Sequence, residues 1–314
     1  MNKMIVTVNP NTAIDRTLVV PEFVLNTTIR ASQFAIGMGG KAADASWILG
    51  AYGIPSLALG FAAGASGKQM EQMLQERGAK TDFTWVDGET RMHTIIVMED
   101  GSGQSTFAVP SLIVRQEHIT DLEARFTKSL NHASCVVIGG TLPPGVPDEL
   151  FTRLVSQARK HGVPVVLDAS GTCFLAGLEG RPNFIKPNWV ELEEAVGKKL
   201  NTLWDVYAAG KDIQKKYGCS LVVTLGGDGA LMILPDKAYH VPVVPVSVVS
   251  TAGAGDGVLA GIAAGIAGGW PVEEGLRLGI AMAGAVCMQL ATADCRKEDI
   301  EKILPQVNLI PFEP

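Results

Sequence analysis

Between residues 135 and 224 short, mainly apolar runs alternate with longer amphipathic ones, and that alternation admits few folds. The apolar runs lie at 135–138, 163–167, 183–186 and 221–224, and the helical ones at 149–161, 191–196 and 205–216. Strands that are apolar along their whole length belong to a parallel sheet covered by helices on both faces. An earlier round at 56–61 and 68–75 keeps the same rhythm. Ligands of open α/β sheets sit past the carboxyl ends of the strands, and Asp168, Asn188 and 224–229 fall there.

Two stretches break the rhythm. Residues 17–34 have no helical period and read as one or two strands. Residues 83–109 carry short β-rich runs around Asp100-Gly101-Ser102-Gly103, a hairpin signal. We take 12–34 and 83–109 as a small β-sheet contributed discontinuously, which leaves 1–11, 35–82 and 110–314 as the main α/β unit.

A β-rich run at 243–250 is followed by Thr251-Ala252-Gly253-Ala254-Gly255-Asp256-Gly257 and then by an apolar helical run at 258–266. Small residues entering a helix expose unpaired N–H groups at the positive end of the macrodipole, a site for anions. Asp256 is out of place beside a phosphate unless it has chemistry to do; the plainer alternative is an Asp that caps the helix. Gly37-Met38-Gly39-Gly40-Lys41 opens a second helix in the same way. It matches the relaxed dinucleotide fingerprint, but no acid stands about 20 residues on to hold a ribose, so a nicotinamide reading finds no support.

The formal charge of −6, with signs interspersed, argues against a nucleic-acid surface. The 5 cysteines form no C-x-x-C pair and the 5 histidines are scattered, which fits reduced thiols in a cytoplasmic protein without a His/Cys metal site. The N-terminus reads as no signal peptide. The most apolar segments, 258–267 and 278–290, are shorter than the roughly 20 residues of a membrane span, so both read as buried helices.

Thr251-Ala252-Gly253-Ala254-Gly255-Asp256 resembles the C-terminal signature of the ribokinase/PfkB family of sugar kinases. Gly39-Gly40-Lys41 is similar to its N-terminal G-G-K-G, and Asn188-Trp189-Val190-Glu191 to its N-x-x-E. The likeness runs the length of the chain. Residues 9–16, Glu89-Thr90-Arg91 and Lys186-Pro187-Asn188 resemble the branch that holds 1-phosphofructokinase and tagatose-6-phosphate kinase.

The resemblance implies a ribokinase-like three-layer α/β/α fold with a mostly parallel sheet and a small β-sheet lid. It implies an ATP- and Mg²⁺-dependent kinase of a sugar phosphate such as fructose 1-phosphate or tagatose 6-phosphate. Asp256 would be the general base and Gly253, Ala254 and Gly255 the anion hole. Asp15, Gly39, Gly40, Lys41 and Asp44 would line the sugar site, with Arg91 on the substrate phosphate. Lys186, Asn188, Thr224, Gly226, Gly229 and Ser250 would serve the nucleotide, and Asn188 and Glu191 would act on Mg²⁺ through water. The lid sheet would also carry a homodimer interface. Asp44 stands where the family has Asn, and His93 stands where T-R-x-N has Asn. Those departures keep open a kinase of an unphosphorylated sugar, polyol or nucleoside. A non-catalytic sugar- or nucleotide-binding regulator is a third reading.

Overall fold

The computed structural model describes residues 3–110 and 112–313. The larger sheet has 11 strands among those residues. Met4–Asn9 lies inside it, paired in parallel with Ser56–Ala62 on one side and Ala133–Gly140 on the other. Parallel pairing continues through Val165–Ala169, Phe184–Ile185 and Ser220–Thr224. The direction then reverses, and Ala230–Ile233, Ala238–Val241 and Ile310–Pro311 form an antiparallel edge.

Successive side chains on a strand face opposite ways, so each strand feeds two cores. Ile5 joins the core beneath Lys41–Tyr52, Ala254–Gly268 and Val272–Cys287. Val6 and Val8 join the other, beneath Gln116–Leu130, Glu149–Lys160 and Leu203–Tyr217. Thr7, on the Ile5 face, meets Ser46 Oγ at 2.8 Å, which satisfies two buried hydroxyls. The architecture is therefore helix, sheet, helix.

Ala254–Gly268 and Val272–Cys287 occupy the two apolar runs read as buried helices. Their backbones nearly touch: a Cβ on Gly261 would lie 2.2 Å from the Gly279 nitrogen. Only glycine allows that approach, and it holds the helix that begins beside Asp256 firmly in the core.

The smaller sheet has the strand order Gln33–Gly39, Ala13–Val20, Arg91–Met98, Gln104–Phe107. Ala13 stands opposite both Gly39 and Arg91, so one end of this sheet meets the start of Lys41–Tyr52. One or two strands were expected within 17–34; the first stops at Val20 and the second begins only at Gln33. After Val20 comes Pro21, which lacks the N–H a ladder needs, and Asn26 turns the chain at a φ of 63°. Thr84–Trp85 pairs with Ser56–Ala62 of the larger sheet.

Candidate active site

The site lies at the carboxyl ends of the parallel strands, where the first turn of Ala254–Gly268 faces them. Gly253 caps this helix in the left-handed region at a φ of 86°, and a Cβ there would fall 2.5 Å from the Ala293 nitrogen. Asp256 is therefore not the cap; it stands in the first turn. The Ala254 N–H donates to Thr251 O at 3.3 Å and the Asp256 N–H to Gly253 O at 3.0 Å. The N–H groups of Gly253 and Gly255 meet no backbone acceptor among the described residues. Two unpaired donors thus remain at the positive end of a 15-residue helix.

Cations gather beside these donors. Lys186, just past Phe184–Ile185, is buried, and its Nζ lies 2.8 Å from Asp168 Oδ2 and 3.4 Å from the Cβ position of Gly255. Lys41, the first residue of its helix, donates to Asp168 Oδ1 at 2.8 Å and to Glu191 Oε1 at 2.6 Å. Burial works to lower the Lys41 pKa, but the charges of Asp168 and Glu191 prevail and hold it above its ordinary value. The Lys41 ammonium stays charged.

Asp256 faces a different environment. Burial, then the charge of Asp168, push its carboxyl up to about 7, against the opposing pull of Lys186 and Lys41. Among its neighbours is Asp44, whose buried carboxyl meets that of Asp256. Burial first, and Asp256 second, hold Asp44 well above the usual carboxylate range.

Three residues mark the side toward the smaller sheet. Asp15 lies against the backbone of Gly39, where a Cβ would be 2.5 Å from its Oδ1, and it contacts His93 Nδ1 at 3.1 Å. Arg91 donates to Asn11 O at 2.6 Å, while its Nε is buried without a partner. Gly40 caps Lys41–Tyr52 at a φ of 101°. Thr90 does not face the site; its hydroxyl accepts from the Ala63 N–H at 3.0 Å.

On the other side Asn188 caps Trp189–Val196 and accepts from the Glu191 N–H at 2.8 Å, while Glu191 Oε2 accepts from the Asn188 N–H at 2.9 Å. Glu191 Oε1 also accepts from Ser170 at 2.7 Å, so both of its oxygens are engaged. Thr224 forms a bridge with Asn188 at the end of its strand. Gly226 and Gly229 shape the turn into Ala230–Ile233, with φ values of 63° and 89°. Ser250 is buried and donates to Gln104 Oε1 of the smaller sheet at 3.3 Å. His, Cys, Asp and Glu form no group of three that could hold a metal among the described residues.

Sequence reasoning gave no role to Asp168, although its place past a strand end was visible. It is the fully buried anion that ties Lys41 to Lys186. Asn9 was missed too. Buried between Gly40 and Gly140, its side-chain amide has no hydrogen-bond partner among the described residues. A lone Asn before Pro reads as a turn, which hid it.

Paired N–H donors, flanking ammoniums and a carboxylate at a helix start define a phosphoryl-handling α/β enzyme. The profile of the pfkB family of carbohydrate kinases matches residues 4–299. A 1-phosphofructokinase from Bacillus subtilis is 30% identical over 98% of this chain and 99% of its own. A tagatose-6-phosphate kinase from Staphylococcus epidermidis is 28% identical over 98% and 99%. The crystal structure of phosphofructokinase-2 from Escherichia coli with substrates and products superposes with a TM-score of 0.89 at 27% identity, over 96% of this chain and 99% of that one. The chain belongs to the PfkB family of carbohydrate kinases. Its fold is ribokinase-like, as expected.

Proposed function

We propose that this kinase transfers the γ-phosphoryl group of ATP to a hydroxyl of a sugar phosphate, of the fructose 1-phosphate or tagatose 6-phosphate class, with Asp256 as general base. The observation that carries the reading is the pair of unpaired N–H groups, Gly253 and Gly255, within one turn of Asp256 and beside the buried Lys186. The acceptor oxygen forms a bond to the γ-phosphorus as the bond to the β–γ bridging oxygen breaks. The acceptor proton passes to Asp256, and ADP leaves. The two N–H groups and Lys186 meet the charge on the phosphoryl oxygens. A base at about 7 is matched to neutral pH.

Asp44 argues less against a phosphorylated acceptor than its residue type does, because burial, then the charge of Asp256, push its carboxyl well above the usual carboxylate range, toward the uncharged form. Arg91, half-buried with an idle Nε, is the cation left to hold the acceptor phosphate, since Lys41 is committed to Asp168 and Glu191. Asp15, Gly39 and Gly40 would line the sugar. Lys186, Asn188, Thr224, Gly226 and Gly229 lie along the nucleotide side, with Ser250 at the adenosine end.

Glu191 and Asn188 fit Mg²⁺ only through water, because their oxygens already accept from the chain. When bound, the ion neutralises phosphate charge. Residues 12–34 and 83–109 would act as the lid, apart from Thr84–Trp85, which pairs with the larger sheet, and the Gln104–Ser250 contact supports closure onto the main unit. Phe23, Leu25, Phe34 and Phe107 are exposed on it, which supports a homodimer through this sheet. No helix among the described residues is long and apolar enough to cross a membrane; we place the enzyme in the cytoplasm with its substrates.

An ADP-release screen across phosphorylated and free sugars tests the reading. Fructose 1-phosphate or tagatose 6-phosphate is expected to stimulate release. Stimulation by unphosphorylated compounds alone would refute the sugar-phosphate assignment.

A further inference from the structure

A carboxyl group cut off from water and turned toward another carboxylate must hold a proton or find a cation. Asp44 is in that position. It lies in the first turn of Lys41–Tyr52 at 4% exposure, and its Oδ1 is buried without a hydrogen-bond donor among the described residues. The charged groups facing it are Asp256 from Ala254–Gly268, Asp15 from Ala13–Val20 and Asp168 from Val165–Ala169. Lys41 and Lys186 pair with Asp168 and lie in the field of Asp256, and Arg91 lies in the field of Asp15, but no cation pairs with Asp44 itself among the described residues. Met4–Asn9, Gln33–Gly39 and Ser56–Ala62, also packed on this helix, carry no titratable side chain. Ala133–Gly140 brings only the buried Cys135 thiol. Gly64–Glu76 turns Lys68 and Glu76 to solvent and Glu71 to Thr81.

We propose that Asp44 is a positioning residue for Asp256: its protonated carboxyl donates a hydrogen bond to the Asp256 carboxylate, and loss of that proton at alkaline pH ends turnover. The inference rests on the kinase reading with Asp256 as base. Two adjoining buried carboxyls cannot both ionise cheaply, so the pair keeps one proton. Asp44 is buried whereas Asp256 is half-buried, and Asp256 has Lys186 and Lys41 in its field, so the proton sits on Asp44. It stays there through the reaction while Asp256 takes the acceptor proton. Once Asp44 ionises, two carboxylates repel each other, the base loses its orienting donor, and negative charge appears where the phosphoryl group passes.

Asp44→Asn keeps a donor at every pH, whereas Asp44→Leu keeps none. With ATP and the sugar phosphate that the ADP-release screen identifies, kcat of the parent protein is expected to fall on the alkaline side by about tenfold per pH unit. That limb should vanish in Asp44→Asn, and Asp44→Leu should lose about tenfold or more in kcat across the range. Infrared spectra on the alkaline side of neutrality, where Asp256 is ionised, read the proton without any substrate: the carbonyl stretch of a protonated carboxyl should be present in the parent and lost in Asp44→Asn. An unchanged alkaline limb in Asp44→Asn, or no such band in the parent, overturns the proposal. A band without turnover of any carbohydrate counts against the kinase reading and in favour of the shared proton.

Discussion

Lys41 donates to Asp168 across 2.8 Å although 127 positions separate them in the chain, and Lys186 meets the other oxygen of the same carboxylate at the same distance. One anion with no exposure thus holds two ammoniums at the mouth of the site. Removing one partner of a buried ion pair strands the other in a poor solvent. Asp168→Ala is expected to cost about 3–5 kcal/mol in urea unfolding, because Lys186 is left buried and unpaired. Asp168→Asn should cost less, since the amide oxygen still accepts. Equal stability of Asp168→Ala and the parent would mean that the ammoniums find water instead.

The pH dependence of turnover should report Asp256. A general base works only when ionised, and burial has raised this carboxyl to about 7. kcat/KM is therefore expected to fall by about tenfold per pH unit below that value and to level off above it, until Asp44 intervenes. Asp256→Asn should lower kcat by about 10³-fold or more and leave ATP binding, read by calorimetry, nearly unchanged. Retention of kcat in that variant would remove Asp256 from the chemistry.

Gly253 is required by conformation and by space together. Its φ is 86°, and an added Cβ would lie 2.5 Å from the Ala293 nitrogen and 2.7 Å from the Ala293 Cα. Neither is the tip of a flexible side chain, so backbone must move. Gly253→Ala should cost about 1–3 kcal/mol in denaturant and also displace the unpaired N–H groups, lowering kcat more than the ATP affinity. Gly227, in the turn after Ser220–Thr224, has open space where its Cβ would be and serves as the control. Gly227→Ala should fold with the stability of the parent.

What the sequence made legible follows from range. Helix entries, strand ends and glycine-rich turns are local patterns, and they located 253–256, 39–41 and 186–191 before any fold was known. The strands of the parallel sheet were equally plain, because burial on both faces removes polar residues from them. Contacts across the chain were not legible. Nothing local to Asp168 says that it will meet Lys41 and Lys186. Asp44 read as an unwelcome negative charge, whereas burial, then the charge of Asp256, hold its carboxyl well above the usual carboxylate range. Ser250, read as a nucleotide contact, has Gln104 of the smaller sheet on its hydroxyl.

Arg91 gives the sharpest test of acceptor class. One guanidinium nitrogen is anchored on Asn11 O at 2.6 Å, which fixes the plane of the group, while Nε lacks a partner. A planar cation held at one edge offers its remaining N–H groups to an anion without further ordering. Arg91 sits on Arg91–Met98 in register with Ala13, two residues before Asp15 and His93 come into contact, so a phosphate on it would place sugar hydroxyls along Asp15 toward Asp256. Arg91→Met should raise KM for a phosphorylated acceptor by about 10- to 100-fold, the loss expected for a charge-assisted hydrogen bond, while KM for ATP stays within about twofold. Arg91→Lys should recover only part of this, because a point charge cannot keep both the Asn11 anchor and the phosphate. A KM for the acceptor unmoved by either change would show that the phosphate is held elsewhere, or that the acceptor carries none.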